Sequence, residues 1–342
     1  MKIIIIGSGW YGCHISSILK KNHDVIIIEK NNSIFDNSSY YNQNRLHQGF
    51  HYCRDYNTRQ LCKQNYNRFK EKYEFCIDHI NNNYYIIAKD SIIDYNTFNS
   101  IYKYEKFNYD EIDNNIFNNI QGKIIKVDEH VINSDKIKKY FESELFNINI
   151  IFNCEVLSYN KINKIINVIT TKGIYDCDLL LDCTYNQLEL SNKEYTYELT
   201  ISLVYKQIMD IEFQGLTIMD GKFCSLYPRD IENKLYTLTD VEYTPIFSST
   251  SFTDIKNYDY NKIDVNFIKD KMEKKIKLFY PTFDKNFIYI SYFLSKKTKL
   301  LSSSDSRDIN IEEIDNNIYS VNCGKIYGIF EFEDYIKKYK LF

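Results

Sequence analysis

Gly7-Ser8-Gly9-Trp10-Tyr11-Gly12 carries the sharpest chemical signal in the chain: three of its ten glycines fall here, in the spacing G-x-G-x-x-G. Such a turn can hold a diphosphate. Gly7 permits the tight exit from a strand, Gly9 leaves room for a pyrophosphate to approach the backbone, and Gly12 lets the next helix pack close to the strands. Trp10 and Tyr11 sit where that helix begins, with free N–H groups and a positive dipole end aimed at the phosphates. Glu29, followed by Lys30, stands where a carboxylate accepts hydrogen bonds from ribose 2′- and 3′-hydroxyls.

The elements that must position these groups are legible around them. Lys2 to Ile6 is a β-branched apolar run suited to a buried parallel strand, and Val25 to Ile28 is a second, ending at Glu29. Ile15, Ile18 and Leu19 mark one face of the helix between them. Strand, glycine turn, helix, strand and acid in this order distinguish a dinucleotide site from a chance glycine turn. Further on, Ser134 is placed to cap an amphipathic helix with Ile137, Tyr140, Phe141 and Leu145 inward. Ile148 to Val156 reads as one strand, Asp178 to Thr184 as a buried strand ending in a small polar turn, and Asn317 to Asn322 as another strand. The last leads into Cys323-Gly324-Lys325-Ile326-Tyr327-Gly328, and a final helical stretch runs to Phe342. Tyr195 to Tyr205 alternates like a sheet strand, Thr217 to Pro245 holds β-rich runs punctuated by Gly221, Pro228 and Pro245, and Phe287 to Phe293 is β-like. A helix with Leu61, Tyr66, Phe69 and Tyr73 inward would leave Arg59 and Arg68 exposed.

In blocks spanning nearly the whole chain, this sequence resembles the FAD-dependent oxidoreductases of the D-amino-acid oxidase superfamily. The glycine fingerprint is the most specific block. Asn44-Arg45-Leu46-His47-Gln48-Gly49-Phe50-His51-Tyr52 resembles the family segment beside the isoalloxazine ring, and its H-x-G-x-x-Y element is closest to the hydroxyglutarate-oxidising branch. Asp178 to Thr184 is similar to the strand that ends in A-T-G, with Tyr185 where the family has glycine. Val156 looks like the position whose backbone meets adenine, and Gly324-Lys325-Ile326 resembles the carboxy-terminal flavin segment. The resemblance implies an α/β fold: a Rossmann-like FAD-binding domain assembled from residues 1–80, 125–188 and 305–342. A mostly antiparallel β-sheet substrate domain, residues 81–124 and 189–304, is inserted in it. No second G-x-G-x-x-G follows, so a separate NADPH domain is not expected, and reduced flavin would pass electrons to oxygen or a carrier.

Within that frame, His47 or His51 would stand over the flavin edge as a hydrogen-bond donor or base. A carboxylate substrate would take a bidentate Arg, with Arg45 first and Arg307, before the last strand, second. The expected cofactor contacts are Gly7, Gly9, Trp10, Tyr11, Gly12, Glu29, Lys30, Arg45, Leu46, His47, Val156, Thr184, Gly324, Lys325 and Ile326. Residues 219–228 combine turn formers with aromatics suited to a substrate pocket, and Tyr227 and Tyr236 are candidate hydroxyl donors. Cys53 and Cys323 read as small buried hydrophobes.

Composition limits the alternatives. Lys plus Arg total 43 and Asp plus Glu 46, a net charge of −3, which does not support a nucleic-acid footprint. No apolar run approaches a membrane span. The nine scattered cysteines lack a CxxC pair and read as reduced thiols of a cytoplasmic protein, with no metal-ligand cluster. The expected function is oxidation of a small amine, amino acid or hydroxy acid by hydride transfer to FAD, with a small-molecule substrate and an electron acceptor as partners. A flavin-dependent sugar-nucleotide mutase is the first alternative, needing diphosphate-binding arginines in the second domain, where only Arg229 is obvious. A non-catalytic dinucleotide-binding protein is the second.

Overall fold

In the computed structural model, which describes residues 1–301 and 309–339, the isoleucine-rich runs form the centre of a sheet buried on both faces. Lys2–Ile6 pairs in parallel with Asp24–Ile28 on one side, Ile4 opposite Ile26, and with Leu179–Asp182 on the other, Ile5 opposite Leu181. Asn149–Ile151 continues the sheet beyond Asp24–Ile28, and Ile318–Asn322 continues it beyond Leu179–Asp182. Asn310–Asp315 closes that edge as an antiparallel strand. One six-stranded sheet is thus gathered from segments far apart in the chain.

Helix Trp10–Leu19 packs on one face with helix Gly328–Lys338, helix Ser134–Glu144 and helix Tyr56–Tyr73. Trp10 is the hub of this layer, with the rings of Phe35, Phe69, Tyr73 and Phe141 between 5.2 and 5.9 Å from its own. An antiparallel ribbon, Val156–Ile162, Ile165–Thr170 and Gly173–Cys177, covers the other face, burying Val156, Ile166 and Val168 against Ile4, Ile6 and Ile28.

The second body is a nine-stranded, mostly antiparallel sheet. Its spine is Tyr195–Gln207, flanked by Phe287–Leu300, Pro245–Ser249 and Leu235–Asp240. Cys224–Asp230, Gly215–Met219, Asn83–Ala88, Ile120–Val127 and Tyr109–Ile112 complete it, and its one parallel pairing is Gly215–Met219 with Asn83–Ala88. Helix Val265–Phe279 buries Ile268, Met272, Ile276 and Phe279 against it. A small sheet of Arg45–Leu46, His130–Ile132 and Ile77–Asp78 lies where the two bodies meet. No helix among the described residues is long and apolar enough to cross a membrane.

Three local expectations are corrected. Asn133, not Ser134, caps its helix: the Asn133 side chain accepts from the amides of Asp135 and Lys136, and Ser134 instead accepts from the Asn44 amide nitrogen. Ile148 to Val156 is not one strand: the chain turns at Asn153 (φ +51°), and Val156 starts a strand of a different sheet. Arg59 is buried. Its guanidinium pairs with Glu105 and donates to the Tyr52 and Cys53 carbonyls, both at 2.8 Å, because the helix face the sequence leaves polar lies under a loop.

Candidate active site

The turn between Lys2–Ile6 and the first helix opens on a cavity of about 720 Å³, within the range of small-molecule and cofactor sites. It runs along Gly7, Gly9, Trp10 and Tyr11, past Glu29 and Lys30, by Val156 and Thr184, to Arg45, His47, His51, Gly324, Lys325 and Ile326. Sequence reading placed all of these at one site, and the fold brings them to one wall. Two expected contacts are elsewhere. Leu46 is fully buried in the core, and Gly12 packs inside, where a Cβ would meet the Gly7 carbonyl at 1.9 Å. Arg307 lies outside the described residues.

At the nucleotide end, the Glu29 carboxylate is buried and held by both oxygens. One accepts from the Ser8 amide at 2.8 Å and the Ser8 hydroxyl at 2.6 Å, the other from the Asn31 amide at 2.9 Å. A carboxylate offers about four acceptor positions, so capacity remains for a further donor. Ser39, which sequence reading missed, is closest to Gly9. Its hydroxyl accepts from the Trp10 amide at 3.0 Å and lies 2.7 Å from where a Gly9 Cβ would be. The pair Ser38-Ser39 in the loop after Glu29 was the available signal. Lys30 donates to Gln187 at 2.6 Å, and burial lowers its pKa.

The turn after Leu179–Asp182 shows what replaces the family glycine. Tyr185 holds φ +64° and Asn186 φ +57°, and the Tyr185 carbonyl accepts from Thr298 at 2.6 Å. The left-handed backbone is kept with a side chain in it.

The far end gathers the cations and imidazoles. Arg45 lies with its guanidinium 4.1 Å from the centre of the Tyr227 ring, donating to Ser225 and, at 3.3 Å, to Tyr85. Burial opposes its charge, but Tyr85, Tyr227 and Glu129 outweigh that and hold it protonated. The Arg45 Nε and the His47 Nδ1 are buried without hydrogen-bond partners among the described residues. The His47 and His51 rings meet edge to face at 4.4 Å, and burial together with the nearby charges of Lys325 and Arg45 keeps both well below the usual histidine pKa, hence neutral. Lys325 reaches the Tyr52 hydroxyl and lies 4.2 Å from the ring centre. Arg54 pairs with Asp220 at 2.8 Å across the cavity wall.

Of residues 219–228, Asp220, Gly221, Phe223 and Ser225 line the cavity, while Tyr227 is buried behind Arg45 and Tyr236 packs on Phe287 in the core. All nine cysteines are free and buried. Arg229 is committed to structure: it donates to the carbonyls of Tyr40 and Asn42 and stacks on Phe293 at 4.6 Å.

No protein-family model matches the chain. It is 30% identical over 332 residues to the FAD-dependent monooxygenase FPY4 of Fusarium mangiferae, covering 95% of this chain and 87% of that one. It is 27% identical over 363 residues to the FAD-dependent monooxygenase kojA of Aspergillus flavus, covering 96% and 83%. Among solved structures, NikD, an unusual amino acid oxidase essential for nikkomycin biosynthesis, superposes with a TM-score of 0.77 at 10% identity over 96% of this chain and 91% of that one. Glycine oxidase from Geobacillus kaustophilus gives 0.73 at 9% identity over 96% and 90%. With that kinship over almost its whole length, the chain is an FAD-dependent oxidoreductase of the family that includes the FAD-dependent monooxygenase FPY4, and it has the fold of NikD and glycine oxidase.

Proposed function

We infer that the chain oxidises a small amine, amino acid or hydroxy acid, using the inner end of the cavity as its substrate site. The observation that carries this reading is Arg45: a half-buried, charged guanidinium on the cavity wall. A charged donor in that position is suited to a carboxylate or another anionic oxygen of a substrate.

The residues fit FAD. Ser8, Ser39 and the helix N-terminus would hold the diphosphate, Glu29 the adenosine ribose, Val156 the adenine edge, and Thr184 and Gly324 to Ile326 the flavin end. Gly9 leaves the room into which the Ser39 hydroxyl reaches, beside the Trp10 amide that a phosphate would take. Bound FAD supplies the two-electron acceptor for a hydride from the substrate carbon.

This chain's own groups supply the rest. Arg45 and Ser225 would orient the substrate, and His47 and His51, both neutral, can take a proton from its N–H or O–H. Lys325 brings positive charge to the same end, where it would offset negative charge that develops as electrons arrive. Core packing around Phe50, Tyr85 and Tyr102 keeps bulk water from the rear wall. Arg229, already bound to two carbonyls, has no role in this reading, which weakens the mutase alternative that depended on it.

The name monooxygenase carried by FPY4 and kojA favours a second reading, in which an oxygen atom ends on the substrate. Anaerobic mixing of yellow holoenzyme with a panel of amino and hydroxy acids tests the first. Bleaching by one of them, with the matching imine or keto product, is expected. A flavin that no member bleaches, but that incorporates labelled oxygen into a phenol or ring substrate with added reductant, would replace it with the second.

A further inference from the structure

Behind the cavity wall lies a carboxyl group that the mechanism above leaves unused. Glu129 is fully buried; one oxygen accepts from the Gln48 amide at 2.7 Å, the other from the Tyr85 hydroxyl at 2.7 Å. The Tyr85 oxygen in turn lies 3.2 Å from His51 Nδ1 and 3.3 Å from the Arg45 guanidinium. Since Tyr85 gives its proton to Glu129, its oxygen is left to accept, and His51 must carry its proton on Nδ1. That leaves Nε2 as the basic nitrogen for the cavity that His51 lines.

We propose that Glu129, through Tyr85, sets the tautomer of His51 and receives the proton that the substrate releases there. The proposal rests on the oxidative reading above for the source of that proton. The substrate N–H or O–H bond breaks and its proton joins His51 Nε2. The Nδ1 proton passes to the Tyr85 oxygen, and the Tyr85 proton passes to Glu129. His51 ends neutral with the opposite tautomer, and Glu129 ends as a neutral acid. Bound FAD would supply the acceptor for the hydride that the substrate carbon loses, so one hydride and one proton would account for the two hydrogens lost.

The surroundings favour this resting place. Burial raises the Glu129 pKa to about 7, with Arg45, the Tyr85 hydroxyl and the Gln48 amide opposing the rise and Asp128 adding to it. Of the other titratable groups around it, Tyr66, Tyr102, Tyr227, Tyr327 and Cys62 are all pushed upward by burial and stay neutral. His51 itself is held low, so it conducts a proton without retaining it. Glu129 and Tyr85 are positioning residues, since neither lines the cavity.

The test uses FAD-loaded protein with isotope-labelled histidine, observed by NMR at about pH 5.5 and about pH 8.5, on either side of the raised carboxyl pKa. In the wild type, His51 should carry its proton on Nδ1 at the higher pH and on Nε2 at the lower. In Glu129→Gln the amide donates to Tyr85, and His51 should hold the Nε2 tautomer at both. In Tyr85→Phe the switch should vanish, which keeps the test decisive if the Gln variant fails to fold. The kcat/KM profile should lose its acid limb in both variants and fall by roughly tenfold or more at its maximum. A wild-type tautomer that ignores pH, or a switch that survives in either variant, overturns the proposal. The NMR readout needs no turnover, so it stands apart from a failure of the oxidative reading.

Discussion

The Tyr11 hydroxyl donates to the carbonyl of Lys325 at 2.6 Å, joining the first helix of the nucleotide turn to the segment at the other end of the cavity. Tyr11→Phe removes that bond and leaves the carbonyl only the longer one from the Gly328 amide, at 3.3 Å. Loss of one partly buried hydrogen bond costs about 0.5–1.5 kcal/mol, so the dissociation constant for FAD should rise roughly twofold to tenfold. Fluorescence titration of apoprotein with FAD would measure this, and an unchanged constant would show that the two ends of the cavity are held together by other means.

Glu29 is held in place before any nucleotide arrives, by Ser8 and Asn31. Glu29→Ala should release the Ser8 turn as well as the ribose contact. FAD retained through gel filtration should fall by more than about tenfold, as loss of a charge-assisted hydrogen bond implies. Ser8→Ala, which removes one of the bonds to that carboxylate, should show a smaller loss of the same kind.

Arg59 clamps the loop that carries His51, Tyr52 and Arg54. Arg59→Gln would leave the Glu105 carboxylate with the Gln60 amide at 3.0 Å but without its ion-pair partner, at a cost of about 3–5 kcal/mol. Urea denaturation should show that loss. Because the loop forms part of the cavity wall, kcat/KM should fall in the fraction that stays folded.

The left-handed turn at Tyr185 yields a ranking. Non-glycine residues pay roughly 1–2 kcal/mol there, while glycine adds conformational freedom to the unfolded chain worth about 0.5–1 kcal/mol. Tyr185→Gly should therefore be close to neutral in thermal stability, and Tyr185→Val, β-branched, should be clearly lower. A Val variant as stable as the Gly variant would refute the strain.

Burial lowers the pKa of His14, His23, His47, His51 and His130, and these set the response to acid. His14 accepts from the Tyr73 hydroxyl at 2.7 Å and donates to Glu333 at 3.0 Å, and burial lowers its pKa to about 4. His47 and His51 are also lowered by burial. The unfolded chain binds protons at these sites first, so stability is lost as pH falls through about 6.5 towards 4. Glu129, raised, works the other way: its contribution is complete below about 4.5 and is lost as pH rises through about 7. Unfolding free energy should fall between pH 7 and pH 5, and more steeply in Glu129→Gln. A shallower slope in that variant would contradict the assignment.

Much of the nucleotide half could be read from residue order alone, because it depends on local chemistry: a glycine turn, isoleucine runs and an acid at a strand end. Glu29 and Gly9 needed no long-range information. Ser39 needed some, since its role exists only where its loop folds back over Gly9. Tyr85 and Glu129 were illegible, being ordinary residues in a chain of 32 tyrosines, and they meet only because Asn83–Ala88 pairs with Ile120–Val127, a strand made far along the chain from it. Arg59 misled for a related reason: a polar helix face looks the same in sequence whether water or a loop covers it. Asn133 and Ser134 are both good caps, and only backbone geometry chooses between them.

The central sheet takes Ile318–Asn322 beside Leu179–Asp182, and the helix that follows packs against the first helix of the chain. During synthesis the first helix must therefore wait for a partner made some three hundred residues later, and the opening strand, paired early with Asp24–Ile28, waits for Leu179–Asp182. Until they arrive, its isoleucines have only half their neighbours, and the crevice has only one wall. Vitamin capture is thus a late event in the life of each molecule, and a nascent chain halted before those partners emerge would be a client for chaperones before it could be a flavoprotein.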